Sequence, residues 1–191
     1  MVLAAGLARR MRGPKLVFRW GRTTVIGRVV TTLLEAGCAP VVVVTGGWRA
    51  QVEAALAHLP VRCVHNPHHR DGSMTRSLQC GLALLQAEPG PQAALVALGD
   101  QPAIPPQVPR ALLQAWPTAP QAVWQPEHRG RAGHPWLLPR RWWPALLAWP
   151  AERPLRAFLR TLPRRRLPVD TSAIHRDLDT IDDYLAQRPA A

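Results

Sequence analysis

The chain has 191 residues, 47% of them hydrophobic, and no apolar run approaches the length of about 18 residues that a membrane-spanning helix needs. This length predicts one globular domain over residues 1–191 with a complete core, and the composition favours a soluble globular protein. The net charge of +12 is compatible with an anionic small substrate, with nucleic acid, or with an arginine-rich composition alone. Because the arginines are scattered and accompany no nucleic-acid-binding motif, nucleic acid is the least favoured of the three.

The cysteines and the N-terminus bear on the cellular compartment. Cys38, Cys63 and Cys80 lack the spacing of a metal site, and no signal peptide is visible. An odd number of cysteines without a signal predicts reduced thiols and a cytoplasmic protein. The chain begins almost inside its first predicted strand, which leaves a start codon upstream of Met1 as an open alternative.

The first fifteen residues combine a short strand with a cationic loop. The apolar run at residues 2–5 predicts a buried strand that ends at Gly6. The loop that follows carries four cations: Arg9, Arg10, Arg12 and Lys15. A strand ending in small residues exposes backbone N–H groups, and glycine lets a ligand approach the main chain. Lys15 is the only lysine beside 23 arginines. The pattern indicates a polyphosphate site or, alternatively, a basic surface loop.

The next segments alternate between helix and strand. Hydrophobic periodicity predicts, in order, a helix at 23–36, a strand at 41–44, a helix at 48–58 and a strand at 61–65. This βαβαβ order is typical of a parallel sheet, whose ligand crevice lies beyond the carboxyl ends of the strands. Gly6, Gly46 and Asn66 follow three of these strands and are expected at the crevice.

An acidic residue follows the next predicted strand. Residues 66–72 are a loop by composition and include two adjacent histidines, which we expect to face water; a helix is predicted from about 73 to 85. The apolar run at 93–98 then leads into Gly-Asp-Gln-Pro, with Asp100 at its second position. A carboxylate placed directly after a buried strand is unfavourable unless it meets a cation. Asp100 therefore indicates a cation site, with capping of the helix predicted near residue 107 as the alternative.

The C-terminal part offers three further features. His134 lies between a glycine and a proline, which restricts its backbone and suits a structural or a ligand-binding role. The tryptophan-rich stretch at 140–149 has helical spacing and is expected to pack on the sheet rather than to stack on bases. Asp177 and Asp179 are two residues apart on a predicted extended segment and should point the same way. Thr180 is expected to cap a terminal helix.

Four segments between residues 2 and 184 resemble, in order, the motifs of one family. They are the N-terminal segment with Leu3, Ala4, Ala5, Gly6, Arg10, Met11 and Lys15; the Gly-Ser-Met-Thr-Arg-Ser-Leu segment with Ser77; the Gly-Asp-Gln-Pro segment; and Asp177–Tyr184. A Gly-His-Pro segment at His134 adds to them. The family is that of the molybdenum cofactor cytidylyltransferases, which are MobA-like nucleotidyltransferases. Ala8, Arg12 and Ile181 depart from its usual Ser, Gly and Pro.

The resemblance implies a three-layer, Rossmann-like (GT-A-like) α/β fold with a mostly parallel sheet and helices on both faces. It implies that the Leu3–Gly6 backbone contacts base and phosphate, that Arg10 and Lys15 balance the triphosphate charge, and that Ser77 contacts the nucleoside. His134 would lie on the acceptor side, and Asp100 and Asp179 would hold Mg²⁺. If the two carboxylates only repel one another, replacing either by Asn should leave the stability of the metal-free protein unchanged.

The implied reaction is transfer of CMP from CTP to a molybdopterin-type cofactor, with release of pyrophosphate. A molybdoenzyme that receives the product is an implied partner. The alternative within the class is guanylyl transfer, or transfer to another small phosphorylated acceptor. The alternative of another class is a basic nucleic-acid- or protein-binding module on an inactive nucleotidyltransferase fold.

Overall fold

The described part of the chain, residues 1–7, 11 and 13–189 of a computed structural model, contains ten strands and seven helices. The strands are β1 (Val2–Ala4), β2 (Arg19–Trp20), β3 (Thr23–Thr24), β4 (Val41–Thr45), β5 (Val61–His65), β6 (Ala93–Leu98), β7 (Val123–His128), β8 (Arg131–Ala132), β9 (Trp136–Pro139) and β10 (Arg164–Pro168). The helices are α1 (Val25–Glu35), α2 (Arg49–Leu56), α3 (Met74–Gln86), α4 (Gln107–Ala115), α5 (Trp143–Leu147), α6 (Leu155–Arg160) and α7 (Ile181–Gln187).

The main sheet has the strand order β10-β7-β9-β6-β1-β4-β5, with β8 paired to β7. β6, β1, β4 and β5 are parallel neighbours, as predicted for a βαβαβ chain. β9 runs antiparallel to both of its neighbours, β6 and β7. Because β1, β4, β5 and β6 all run the same way, their carboxyl ends meet along one edge of the sheet.

Alternating side chains of the strands form two hydrophobic layers. In β4, Val41 and Val43 pack with α1, α2 and α4, whereas Val42 and Val44 pack with α3, α5 and α6. All four valines are at most 2% exposed. A run of β-branched residues without alternation is typical of a strand covered on both faces. The predicted three-layer α/β architecture is confirmed.

Capping side chains set the helix boundaries that matter for the cleft. The hydroxyl of Thr24 accepts a hydrogen bond from Gly27 N at the start of α1, and that of Ser73 does the same for Arg76 N in α3. Thr180 and Asp183 form a reciprocal capping box at α7. These side chains satisfy backbone N–H groups that a helix leaves unpaired at its N-terminus. The cap predicted at Thr180, at the start of the last helix, is therefore confirmed.

The tryptophan-rich stretch packs against the sheet. α5 covers only part of the predicted helix at 140–149, and a single 3₁₀ turn at 140–142 precedes it. Trp143 is fully buried among α3 and β9 side chains, so its role is core packing, as expected. Within the described residues no helix has the length and apolar character needed to cross a membrane; the longest, α3, has 13 residues.

Candidate active site

A cleft of about 400 Å³ opens at the carboxyl ends of the parallel strands. Eight of the predicted site residues line it: Leu3, Ala4, Ala5, Gly6, Lys15, Ser77, Asp100 and Asp179. They come from the end of β1, the 3₁₀ turn at 15–17, the start of α3, the turn after β6 and the segment before α7. Arg10 lies outside the described residues. His134 is not among the residues that line the cleft.

The floor of the cleft is the tip of β1, held close to the tip of β4. A Cβ on Gly46 would lie 2.3 Å from the carbonyl oxygen of Ala5, so only glycine permits the observed approach of the two strand ends. A Cβ on Gly6 would meet no atom within 4 Å, because its Cα faces open space at the cleft. The two glycines thus serve different purposes: Gly46 allows tight packing, whereas Gly6 leaves room for a ligand beside the main chain.

One wall of the cleft depends on a hydrogen bond between Asn66 and Ser77. Asn66 is fully buried, its Nδ2 donates to Ser77 Oγ at 3.0 Å, and its Oδ1 accepts from the His68 backbone N–H at 2.9 Å. Ser77 Oγ also lies 3.4 Å from Ser73 O. Ser77 therefore fixes the loop after β5 onto α3 and, in addition, borders the cleft. Its direct contact with a nucleoside stays a prediction.

The sequence did not indicate that Trp48 and His69 line the cleft. Trp48 follows the Gly46-Gly47 strand tip, and its Nε1 donates to Leu7 O at 3.3 Å. His69 Nδ1 lies 3.1 Å from Asn66 O, so the expectation that both adjacent histidines face water is wrong for His69, whereas His68 is exposed. The position of Trp48 directly after a strand tip could have indicated that it borders the cleft. No sequence pattern distinguishes His69 from His68.

A cationic centre joins the two predicted metal carboxylates. Lys15 Nζ lies 2.6 Å from Asp100 Oδ2, 2.7 Å from the carbonyl oxygen of Leu178 and 3.8 Å from Asp179 Oδ1. The Lys15 side chain is 13% exposed and that of Asp100 is 23% exposed. A partly desolvated ion pair with a 2.6 Å contact is a strong, charge-assisted hydrogen bond.

The segment that carries Asp177 and Asp179 is anchored to the turn after β6. The backbone N–H of Leu178 donates to Asp100 O at 3.0 Å, and the Leu178 side chain is fully buried. Because successive side chains of an extended segment point to opposite sides, burial of Leu178 directs its two neighbours to the other side. Both aspartates line the cleft, as the sequence predicted for a pair two residues apart.

Gln101 positions the first of these aspartates. It is 3% exposed, and its Nε2 donates to Asp177 Oδ1 at 2.6 Å. The pKa of Asp177 is raised chiefly by burial, with a further contribution from the negative charges of Asp100 and Asp179. The hydrogen bond from Gln101 and the charge of Lys15 act in the opposite direction. No sequence pattern connects Gln101 with a residue 76 positions away.

His134 lies outside the cleft and is a neutral imidazole in the folded protein. Its backbone N–H donates to Ile174 O at 3.2 Å. Burial lowers the pKa of His134 from 6.5 to about 4; the charge of His175 adds to this shift, and that of Asp100 opposes it. His134 is half-buried beside Ile174 and close enough to Asp100 to be affected by its charge, but it does not line the cleft.

This environment predicts a pH dependence of stability. Between pH 6.5 and about 4 the unfolded chain binds a proton at His134 that the native protein does not. Above pH 6.5, His134 does not lower the stability. As the pH falls from 6.5 to about 4, the free energy of unfolding should decrease by on the order of 2 kcal/mol. In denaturant titrations at pH 7 and pH 4.5, His134→Gln should show a smaller difference than the wild type. An equal pH dependence in both proteins would contradict the assignment, since all other titrating groups are common to both.

The oxygen atoms around Lys15 have the chemistry of a site for a hard divalent cation. Two carboxylates and one backbone carbonyl already converge on one positive charge. The described residues contain no group of three or more His, Cys, Asp and Glu side chains that would hold a metal by themselves. Mg²⁺ typically binds one or two protein carboxylates and takes its other ligands from substrate phosphates and water. The residues present fit that mode of binding.

The sequence of this chain is similar to those of known nucleotidyltransferases. The family model described as "MobA-like NTP transferase domain" matches residues 1–167. The molybdenum cofactor cytidylyltransferase of Escherichia coli K12 is 23% identical over 98% of this chain and 94% of its own. Nicotine blue oxidoreductase of Paenarthrobacter nicotinovorans is 37% identical over 54% of this chain and 50% of its own.

Solved structures share the fold of this chain. Rv0371c of Mycobacterium tuberculosis H37Rv superposes with a TM-score of 0.81 at 28% identity, over 97% of this chain and 94% of the other. Its complex with manganese superposes with a TM-score of 0.78 at 26% identity, over 100% and 97% of the two chains. Asp177 and Asp179 lie beyond the residues matched by the family model, yet the fold brings them to the same cleft. The chain belongs to the MobA-like NTP transferase family, and it is a nucleotidyltransferase.

Proposed function

We propose that this nucleotidyltransferase transfers CMP from CTP to the phosphate of a molybdopterin-type acceptor, with Mg²⁺ as cofactor. The observation that carries the proposal is the convergence of Lys15, Asp100 and Asp179 beside the open backbone of Gly6 in a cleft of about 400 Å³. A nucleotide needs a surface for its base, cations for its phosphates and oxygen ligands for its metal. The cleft offers all three within one concave site.

The chemistry requires charge neutralisation and positioning. An oxygen of the acceptor phosphate would attack the α-phosphorus of CTP, the bond between that phosphorus and the bridging oxygen would break, and pyrophosphate would leave. Both reactants are anionic, so catalysis depends on bringing them into line and on cations that offset their charge. We assign Asp100 and Asp179 to Mg²⁺, which when bound would neutralise the phosphate oxygens and polarise the reacting phosphorus. We assign Arg10 and Lys15 to the triphosphate.

The base and ribose would lie between the tip of β1 and the start of α3. Leu3, Ala4 and Ala5 border the cleft on one side, and Ser77 borders it on the other. Ser77 is held by Asn66, so this wall is preorganised rather than formed by the ligand. On the acceptor side, the neutral His134 and the adjacent Ile174 segment would shape the surface beyond Asp100, with His134 acting by hydrogen bonding rather than by charge.

We place the enzyme in the cytoplasm, where a molybdoenzyme would receive the product. Cys38, Cys63 and Cys80 form no disulfide in the described structure. Burial raises the pKa of each thiol, which keeps all three protonated and unreactive at neutral pH. Such thiols are typical of a reducing compartment.

Selectivity for the base provides a first test. Ala5 is 6% exposed and borders the cleft with a methyl group. By the family resemblance, guanylyl enzymes have Gly at the corresponding position, so Ala5 favours the cytidylyl assignment. We expect CTP to bind at least about tenfold more tightly than GTP, a difference of ~1.4 kcal/mol. Calorimetric titration of each triphosphate with Mg²⁺ measures this ratio, and Ala5→Gly should reduce it. Equal affinities of the wild type would exclude cytidylyl transfer and leave guanylyl transfer or another acceptor class.

The reaction itself is tested by pyrophosphate release. CTP, GTP and candidate phosphorylated acceptors would be combined in pairs with Mg²⁺, and released pyrophosphate would be recorded. We expect release only when CTP and a molybdopterin-type acceptor are both present. Binding of a duplex oligonucleotide without any release would instead support the basic binding module.

A further inference from the structure

The ammonium group of Lys15 already contacts the residues that we predict to bind a divalent cation. Its ammonium contacts Asp100 and the carbonyl of Leu178 at 2.6 and 2.7 Å and lies 3.8 Å from Asp179. Asp100 and Asp179 are the two residues assigned to Mg²⁺ above. An ammonium and a metal ion cannot share this position, because like charges a few ångström apart repel and the same lone pairs are needed by both.

The local structure lets the ammonium move while the backbone stays in place. Lys15 begins a 3₁₀ turn in which its N–H donates to Gly13 O at 2.8 Å and its carbonyl accepts from Phe18 N at 3.2 Å. The next residue, Leu16, is 7% exposed and packs in the core. The backbone is thus fixed, whereas the side chain has a flexible four-carbon stem that ends in a compact charge. Lys15 also borders the cleft in which phosphates would lie.

We propose that Lys15 is a built-in counter-ion that exchanges with the metal: it neutralises Asp100 and Asp179 until a nucleotide binds, and then moves to the phosphates as the divalent cation takes its place. This inference depends on the proposed function, which makes the two aspartates metal ligands. It explains why the only lysine of an arginine-rich chain lies here. The guanidinium fork of an arginine would hold a carboxylate with two hydrogen bonds and exchange less readily.

The exchange has a thermodynamic consequence that can be measured. A metal ion alone must displace Lys15 and therefore binds weakly. A triphosphate offers Lys15 new partners and supplies oxygen ligands to the metal, so nucleotide and metal should strengthen one another's binding by the same factor. Removing the ammonium should raise the affinity for metal alone and, at the same time, weaken this coupling.

The experiment is a calorimetric titration of Mn²⁺ into the nucleotide-free protein, with electron paramagnetic resonance of unbound Mn²⁺ as a second readout. Lys15→Met should bind Mn²⁺ at least about tenfold more tightly than the wild type. Arg62→Met is the matched control, since it also removes one cation and an ion pair, with Glu88, but at the opposite end of the parallel strands. It should leave Mn²⁺ affinity unchanged.

A second variant keeps the test decisive if Lys15→Met folds poorly. Lys15→Gln also removes the charge but keeps a polar side chain, and it should likewise bind Mn²⁺ more tightly than the wild type, whereas Lys15→Arg, which retains the charge, should not. Unchanged or weaker Mn²⁺ binding by Lys15→Met, or an equal gain in Arg62→Met, would overturn the exchange. The proposed function fails differently: wild-type protein would then bind Mn²⁺ no better with CTP than without it, and Asp100→Asn would not affect binding.

Discussion

Asp100→Asn is expected to slow nucleotidyl transfer by on the order of 10³-fold, because a metal ion that neutralises phosphate oxygens contributes several kcal/mol to transition-state stabilisation. The neutral amide retains the size of the carboxylate but is a poor ligand for Mg²⁺. Single-turnover release of pyrophosphate with saturating CTP and acceptor measures the effect. Asp170→Asn, which removes a charge from an exposed residue, is the matched control and should retain the wild-type rate.

The same substitution also tests a correction to the sequence-based expectation. The sequence suggested that Asp100 only repels the second metal carboxylate, so its loss would not affect the metal-free protein. The structure shows Asp100 paired with Lys15 at 2.6 Å in a partly buried site. We therefore expect Asp100→Asn to lower the stability of the metal-free protein by about 1 kcal/mol. A large loss of melting temperature with an unchanged transfer rate would identify Asp100 as a structural carboxylate.

Lys15→Ala is expected to slow transfer by on the order of 10²–10³-fold, the effect of removing one preorganised charge from the site where charge develops. Lys15→Arg should retain most of the affinity for CTP yet also slow transfer, because the wider guanidinium fork prefers two oxygen acceptors. Rapid-quench measurement of pyrophosphate release separates the two effects from CTP binding. Wild-type rates in both variants would reduce Lys15 to a surface charge.

If Lys15 exchanges with the metal, its removal should have opposite effects on metal binding and on catalysis. Removing the ammonium should strengthen the binding of metal alone and, in the same variant, weaken catalysis. A lysine that served only to stabilise the fold would lower both, and a lysine that served only to bind phosphate would leave the affinity for metal alone unchanged. The two measurements together therefore distinguish three roles of one side chain.

Much of the first half of the fold could be predicted from the sequence. The longer strands and helices from residue 2 to residue 98 carry their own local signals, such as the four valines of β4. The two-residue strands β2 and β3 were not predicted, and the predicted helix at 23–36 includes Thr23–Thr24, which form β3. Parallel neighbours joined by crossover helices then follow from general rules of connection. The strand β9 could not be predicted, because Trp136–Pro139 is short, lacks alternation and is placed by pairing with strands distant in sequence.

The candidate site was predictable where a residue follows a strand. Gly6 and Asp100 each lie two residues after a buried apolar strand, and the two aspartates before α7 have a spacing that brings them to one side. The ion pair between Lys15 and Asp100 joins residues 85 positions apart, and the hydrogen bond from Gln101 to Asp177 joins residues 76 positions apart. Such contacts depend on tertiary packing, which no local pattern encodes. The proposed exchange with the metal depends on one of these contacts, the ion pair between Lys15 and Asp100.

Binding of a metal–nucleotide complex by Asp100 and Asp179 can be tested by calorimetric titration of CTP into the wild-type protein with and without Mg²⁺. The titration is repeated with Asp100→Asn, Asp179→Asn and the control Asp170→Asn. We expect Mg²⁺ to strengthen CTP binding to the wild type and to Asp170→Asn by at least about tenfold, and we expect either substitution in the cleft to abolish this gain. Metal-dependent CTP binding that survives in both Asp100→Asn and Asp179→Asn would contradict this role of the two aspartates.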